Sequence, residues 1–169
     1  MGLLSQIKAD WRAHDKDWTK PGFRAVAVHR FGNWRMQIGN RYLRAPFSIL
    51  YRSLFRRARN VYGIELPYSV KLGQDVVFEH QGGIVIHGNV EVGDGCIIRQ
   101  GVTLGNRNLN DPFAAPNLGV GVNVGAGAKI LGGVSIGDHA VIGANAVVLD
   151  DVPASTLAVG IPAKLRPIG

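Results

Sequence analysis

A mainly β fold, a left-handed parallel β-helix preceded by a short α-helical segment, is what three observations in this 169-residue sequence predict. Aliphatic residues recur at every sixth position through much of the chain beyond residue 70. Glycines concentrate in the same region, 19 of the 23 lying beyond residue 60. Charge splits the opposite way: residues 1–60 hold 13 Lys+Arg against 3 Asp+Glu, a net of +10, and the rest holds 6 against 9. Two architectures therefore meet near residue 60: a basic α-helical segment over 1–62 and a β-helix domain over 63–169, with an external loop at 106–117.

The first 60 residues read as helices. Phe47, Leu50, Tyr51, Leu54, Phe55, Ala58, Val61 and Tyr62 follow the spacing of an apolar helical stripe, with Pro46 suited to its first turn. Ala27, Phe31, Trp34 and Ile38 make a second stripe after Pro21-Gly22, and Leu3, Leu4, Ile7, Trp11 and Trp18 a third. Arg52, Arg56, Arg57 and Arg59 mark a solvated or subunit-facing side, which could also attract an anionic membrane surface. His14 and His29 read as surface helix residues. No nucleic-acid-binding motif accompanies the charge, so nucleic acid is not expected as a partner.

The repeat is clearest in residues 118–149. Leu118-Gly119, Val124-Gly125, Ile136-Gly137 and Ile142-Gly143 are aliphatic-glycine pairs, and Ile130 and Val148 hold the same register. Uncharged residues (Pro116, Val122, Ala128, Val134, Ala140, Ala146) stand two positions before each aliphatic. Ile86, Val92, Ile98 and Leu104 continue the series upstream, as do Leu72 and Phe78. Period six is neither helical nor alternating. It fits a three-sided coil in which the aliphatic points inward and glycine eases the corner that follows. Cys96 falls on an inward small position and reads as core. A lone cysteine excludes an internal disulfide framework.

Two breaks interrupt the register. Phe78 to Ile86 is eight residues, two more than a hexad, and Leu104 to Leu118 is fourteen, eight more than one. The second break, rich in Asn, Asp and Pro, predicts a loop thrown outward from a coil corner.

At these breaks the chain resembles a known family. Glu79-His80-Gln81-Gly82-Gly83, Gly101-Val102-Thr103-Leu104-Gly105, Gly125-Ala126-Gly127-Ala128-Lys129-Ile130-Leu131-Gly132 and Val159-Gly160-Ile161-Pro162-Ala163-Lys164 are similar to motifs of the serine acetyltransferase family of hexapeptide transferases. Within it, Thr103-Leu104-Gly105-Asn106-Arg107 and the basic helical stretch around Val28-His29-Arg30-Phe31 resemble the short colanic-acid type that acetylates exopolysaccharide sugars.

The resemblance implies an acetyl-CoA-dependent O-acetyltransferase without a metal. His80 would be the general base and Glu65 the carboxylate that orients it. Gly105, Ala126, Ala144, Gly160, Pro162 and Lys164 would contact CoA; Glu79, Asn106 and Arg107 would contact the acceptor. A hydroxyl attacks a thioester poorly at neutral pH, and a neutral imidazole can take its proton during attack. Glu65 would accept the Nδ1 proton, and N–H groups at a coil corner would hold the oxyanion. The family's arginine-histidine pair that grips serine falls on Ala114 and Ala115. The acceptor is therefore expected to be a sugar hydroxyl in polysaccharide biosynthesis, free or lipid-linked, with serine O-acetylation as the alternative.

Further expectations are a homotrimer, either alone or doubled to a dimer of trimers by the helical segments, and a cytoplasmic location, either free or in peripheral contact with the inner face of a membrane. The start of the chain lacks a basic leader before its apolar residues. Two other readings compete: a zinc-dependent carbonic anhydrase using His80, His87 and His139, and a non-catalytic scaffold. The first lacks a closely spaced His pair, and the second leaves Glu65 and His80 without purpose.

Overall fold

The computed structural model describes residues 2–168; Met1 and Gly169, the outer ends of the two expected segments, lie outside the described residues. Three helices come first: α1 (Leu3–Ala13), α2 (Pro21–Met36) and α3 (Arg41–Tyr62). Short strands follow: β1 (Ile64–Glu65), β2 (Lys71–Leu72), β3 (Val77–Glu79), β4 (Ile84–Ile86), β5 (Glu91–Val92), β6 (Ile97–Arg99) and β7 (Thr103–Gly105). Beyond the loop come β8 (Asn117–Leu118), β9 (Asn123–Val124), β10 (Lys129–Leu131), β11 (Ser135–Ile136), β12 (Val141–Ile142) and β13 (Val147–Val148). Finally come β14 (Thr156–Val159) and β15 (Lys164–Pro167).

The strands wind into a parallel β-helix with three sheets. The first sheet is β1-β4-β7-β10-β13, the second β2-β5-β8-β11, and the third β3-β6-β9-β12-β14-β15. The six-residue period accounts for this: most strands supply one inward aliphatic (β4 supplies two, Ile84 and Ile86), and the corner that follows passes the chain to the next sheet. Ile64, Ile84, Leu104, Ile130 and Val148 are buried inside the first sheet. Phe78, Ile98, Val124, Ile142 and Ala158 are buried inside the third. Cys96 is fully buried among them, its thiol donating to the Gly119 carbonyl at 3.1 Å.

Pairing distances along the chain reproduce the register breaks. Ordinary turns advance eighteen residues, as in Asn123 to Val141 and Lys129 to Val147. The turn holding the first break advances twenty, Glu79 pairing with Arg99. The turn holding the loop advances twenty-six, Ile97 pairing with Asn123.

The helices pack on the coil through buried polar contacts. The Arg30 guanidinium grips the Asp10 carboxylate with Nε at 2.9 Å and Nη2 at 3.1 Å. It also donates to the Leu72 and Gly73 carbonyls at 2.8 and 2.5 Å, tying α1, α2 and the coil together. His14 and His29 are buried, not surface residues. His14 Nδ1–H donates to the Asp10 carbonyl at 2.8 Å, and its Nε2 accepts the Phe78 N–H at 3.3 Å. His29 Nδ1–H donates to the Pro67 carbonyl at 3.0 Å. A carbonyl can only accept and an N–H can only donate, so His14 is the neutral Nδ1–H tautomer, and His29, whose Nε2 accepts from the Asn33 amide at 3.3 Å, takes the same form. Burial lowers the pKa of both, that of His29 to about 4.

The apolar stripes are also redistributed. Leu4, Trp18, Leu50 and Val61 are exposed, whereas Ala25, Val26 and Gly32 are buried on α2. Phe31 and Trp34 instead stack on each other and meet Phe47 of α3 edge-on. α3 starts earlier than Pro46: the Asn40 side chain caps it, accepting the Tyr42 N–H at 2.9 Å, and Pro46 lies inside the helix. At its other end, Gly63 takes the left-handed conformation (φ 64°) that lets the chain leave α3 and enter β1.

Candidate active site

Three edges run along the coil, one between each pair of adjacent sheets. The edge from the third sheet to the first begins at His80-Gln81-Gly82-Gly83, the two-residue bulge. His80 itself has φ 64°, a left-handed backbone that non-glycine residues rarely adopt, which marks the corner as specialised. Above it stands Gln100-Gly101, whose Gly101 N–H donates to the Gly82 carbonyl at 2.8 Å. The Gly127 N–H donates to the Gln100 carbonyl at 2.8 Å, and the Asn145 N–H to the Ala126 carbonyl at 2.8 Å. The Val147 N–H donates to the Gly160 carbonyl at 3.0 Å, carrying the column to its top. His80, Ala126, Ala144 and Gly160 therefore share one edge. Pro162, which follows a cis peptide bond, and Lys164, paired with Val159, complete its upper end.

The helices hold the lower end of this edge. His14 secures the N–H of Phe78, two residues before His80. A Cβ on Gly22, at the start of α2, would sit 2.0 Å from the Phe78 carbonyl oxygen, so only glycine lets the helix press this closely on β3. The Tyr62 carbonyl at the end of α3 accepts the Gly82 N–H at 2.9 Å, and the Tyr62 hydroxyl accepts from Arg24 at 2.9 Å.

Other expected residues lie elsewhere. Glu65 sits on β1, paired with Val85, and no hydrogen bond joins it to His80 among the described residues. Gly105, Asn106, Arg107, Ala114 and Ala115 belong to the edge from the first sheet to the second. Arg107 packs against Gly132 there, and Ala114 lies beside Gly133. Within one chain the width of the first sheet separates this loop from His80. His87 and His139 occupy two further corners, so the three histidines fall on three different edges. Among the described residues no group of three or more His, Cys, Asp or Glu side chains stands together to hold a metal ion.

One residue escaped the sequence reading. Arg99 stands one turn above Glu79, its Nε 2.8 Å from Glu79 Oε2, and it also hydrogen-bonds the Asn123 side chain. An acid and a base twenty residues apart stack only because the bulge lengthens that turn. The spacing was available, but its meaning depended on the register.

Comparisons with known proteins follow the geometry. Residues 116–150 match the family described as bacterial transferase hexapeptide (six repeats). A serine acetyltransferase from Synechococcus elongatus is 41% identical over 145 residues, covering 86% of this chain and 57% of that protein. One from Helicobacter pylori is 39% identical, covering 85% of this chain and 80% of that protein. The solved soybean serine acetyltransferase complexed with serine superposes with a TM-score of 0.82 at 34% identity, covering 97% of this chain and 69% of that one. The chain spans little more than half the length of the first of these relatives.

These relatives correct the expectation of a colanic-acid type and of a polysaccharide acceptor: the names they carry are those of serine acetyltransferases. The two alanines were weighed as though loop side chains define the acceptor. Likeness across the helices and the coil outweighs them, and this chain belongs to the serine acetyltransferase family.

Proposed function

We propose that the chain is a serine O-acetyltransferase that moves the acetyl group of acetyl-CoA to the hydroxyl of L-serine. The observation that carries this reading is the shared edge. His80 lies at its foot, and Ala126 and Ala144, too small to obstruct a pantetheine arm, stand above it.

The chemistry follows from these residue types. His80 removes the hydroxyl proton as the serine oxygen attacks the thioester carbonyl. A tetrahedral oxyanion forms, and corner N–H groups stabilise it. Its collapse breaks the carbon–sulfur bond, and the imidazolium returns its proton to the departing thiolate, giving O-acetylserine and free CoA. Glu65, fifteen residues before His80, is assigned the task of steadying the imidazolium in the substrate complex. This is consistent with catalytic hydrogen bonds that tighten only in the substrate complex.

The reading includes a homotrimer. The loop of 106–117 and His80 lie on different edges of one coil, and a neighbouring coil laid alongside brings one subunit's loop to another's His80. Asn106, Arg107 and Gly105 then act across the interface. The test is CoA release from acetyl-CoA with L-serine as sole acceptor, together with light scattering. Turnover by a trimer is expected. Absence of any L-serine turnover overturns the acceptor, and full activity in a monomer overturns the interface.

A further inference from the structure

Serine is a zwitterion, and an acceptor site for it needs a positive charge beside a negative one. The loop offers neither at Ala114 and Ala115. The question is which basic residue of this chain can meet the carboxylate.

The coil has six basic residues: Lys71, Arg99, Arg107, Lys129, Lys164 and Arg166. Lys71 lies on the second sheet, paired with Glu91. Arg107 is on the loop's edge, its Nη1 3.4 Å from the Leu149 carbonyl. Lys164 and Arg166 are on β15, at the top of the coil. Lys129 is bound to the Gly101 carbonyl at 2.5 Å and to the Thr103 hydroxyl at 3.1 Å. In the helical segment, the cations beside this edge are also engaged: Lys20 is held by Asp15, Arg24 by Trp18 and Tyr62, and Arg57 by the Tyr62 hydroxyl.

Arg99 differs from all of these. It ends β6, immediately before the Gln100-Gly101 corner, and Glu79 below it immediately precedes His80. The next strand up, β9, ends just before Gly125-Ala126, and Gly125 has no side chain to cover the guanidinium. Arg99 thus occupies the interval between the general base and the stretch of edge assigned to the thioester, one strand spacing (~4.8 Å) from Glu79. An arginine has five N–H donors. Nε faces Glu79 across a 2.8 Å ion pair, one Nη1–H is used on Asn123, and among the described residues no hydrogen bond engages Nη2. The pair is open to solvent, Arg99 30% and Glu79 39% exposed, so a ligand can reach both charges.

We propose that Arg99 is the residue that binds the serine carboxylate, with Glu79 receiving the ammonium group. The assignment rests on the serine reading above. The opposite charges of the pair match those borne by an amino acid's α-carbon, and docking them there directs the β-hydroxyl towards His80. Arg99 therefore does the work that a loop cation would otherwise do.

The experiment compares L-serine with serinol, which keeps the hydroxyl and ammonium but lacks the carboxylate, by following CoA release. The parent chain should prefer L-serine. Arg99→Met should raise the KM for L-serine about 10- to 100-fold, the range for a lost hydrogen bond to a charged group. It should leave the KM for acetyl-CoA unchanged and abolish the preference over serinol. Arg99→Lys should restore part of the preference. An Arg99→Met chain that still prefers L-serine by the parental ratio overturns the assignment while the serine reading stands. A parent chain that turns over no L-serine overturns that reading, and the assignment with it.

Discussion

The coil and the helical segment are held by opposite means. In the coil, every inward residue repeats its neighbour's role: Ile130 does for β10 what Leu104 does for β7, and each touches its counterpart one rung away. In the helical segment the decisive contacts occur once each and span long stretches of chain. Asp10 meets Arg30, His14 meets Phe78, and His29 meets Pro67. Repetition spreads stability over many equivalent sites and makes the fold easy to read. Unique polar contacts concentrate it and position the bulged corner at His80, the first of the two places where the repetition fails.

The largest effect should come at that corner. His80→Ala is expected to lower turnover by ~10²–10⁴-fold, the usual range for a lost general base, with little change in melting temperature. Near-normal turnover would remove His80 from the mechanism. Asp10→Ala should show the reverse order of damage. It leaves the nearly buried Arg30 guanidinium without its counter-charge, and about 3–5 kcal/mol of stability should be lost in chemical denaturation. A loss below about 1 kcal/mol would mean that water replaces the carboxylate.

Acid should act on the same segment. His29 has a folded pKa of about 4 against an ordinary 6.5, so the unfolded chain binds more protons between these values. Stability is full above pH 6.5, declines as pH falls through that window and has lost this contribution below about 4, roughly 3 kcal/mol in all. His14, lowered in the same direction, adds to the decline. Denaturation midpoints at stepped pH should therefore fall less steeply in His29→Asn than in the parent. Parallel profiles would show that His29 is not the group responsible. The smallest effect belongs to the repeat. Ile130→Val should cost about 0.5–1.5 kcal/mol, since only one methylene of one rung is lost. A cost equal to that of Asp10→Ala would erase the contrast between the two regions.

The same contrast explains what could be read in advance. Ile86, Val92, Ile98 and Leu104 revealed the coil because their spacing is itself the structural rule, and the two breaks located His80 and the loop for the same reason. His14 and His29 were misread because their partners are a backbone N–H and a carbonyl of the coil, supplied 64 and 38 residues away. No helical periodicity signals such partners. Arg99 was overlooked because its stacking on Glu79 depends on a twenty-residue turn. Ala114 and Ala115 were over-read, since an absent side chain says nothing about which other residue has taken over its task.

The twenty-six-residue turn has an evolutionary consequence. The pairings on either side of the loop, Glu91 with Asn117 and Thr103 with Lys129, are in the same register that an uninterrupted turn would have. The insertion is therefore outside the accounting of the coil. Mutations that lengthen, shorten or rewrite it leave the stacked aliphatics where they are. A lineage can lose a gripping residue from that loop, retain a folded protein, and select a replacement elsewhere along the edge. Divergence of substrate recognition then proceeds without passing through an unstable intermediate.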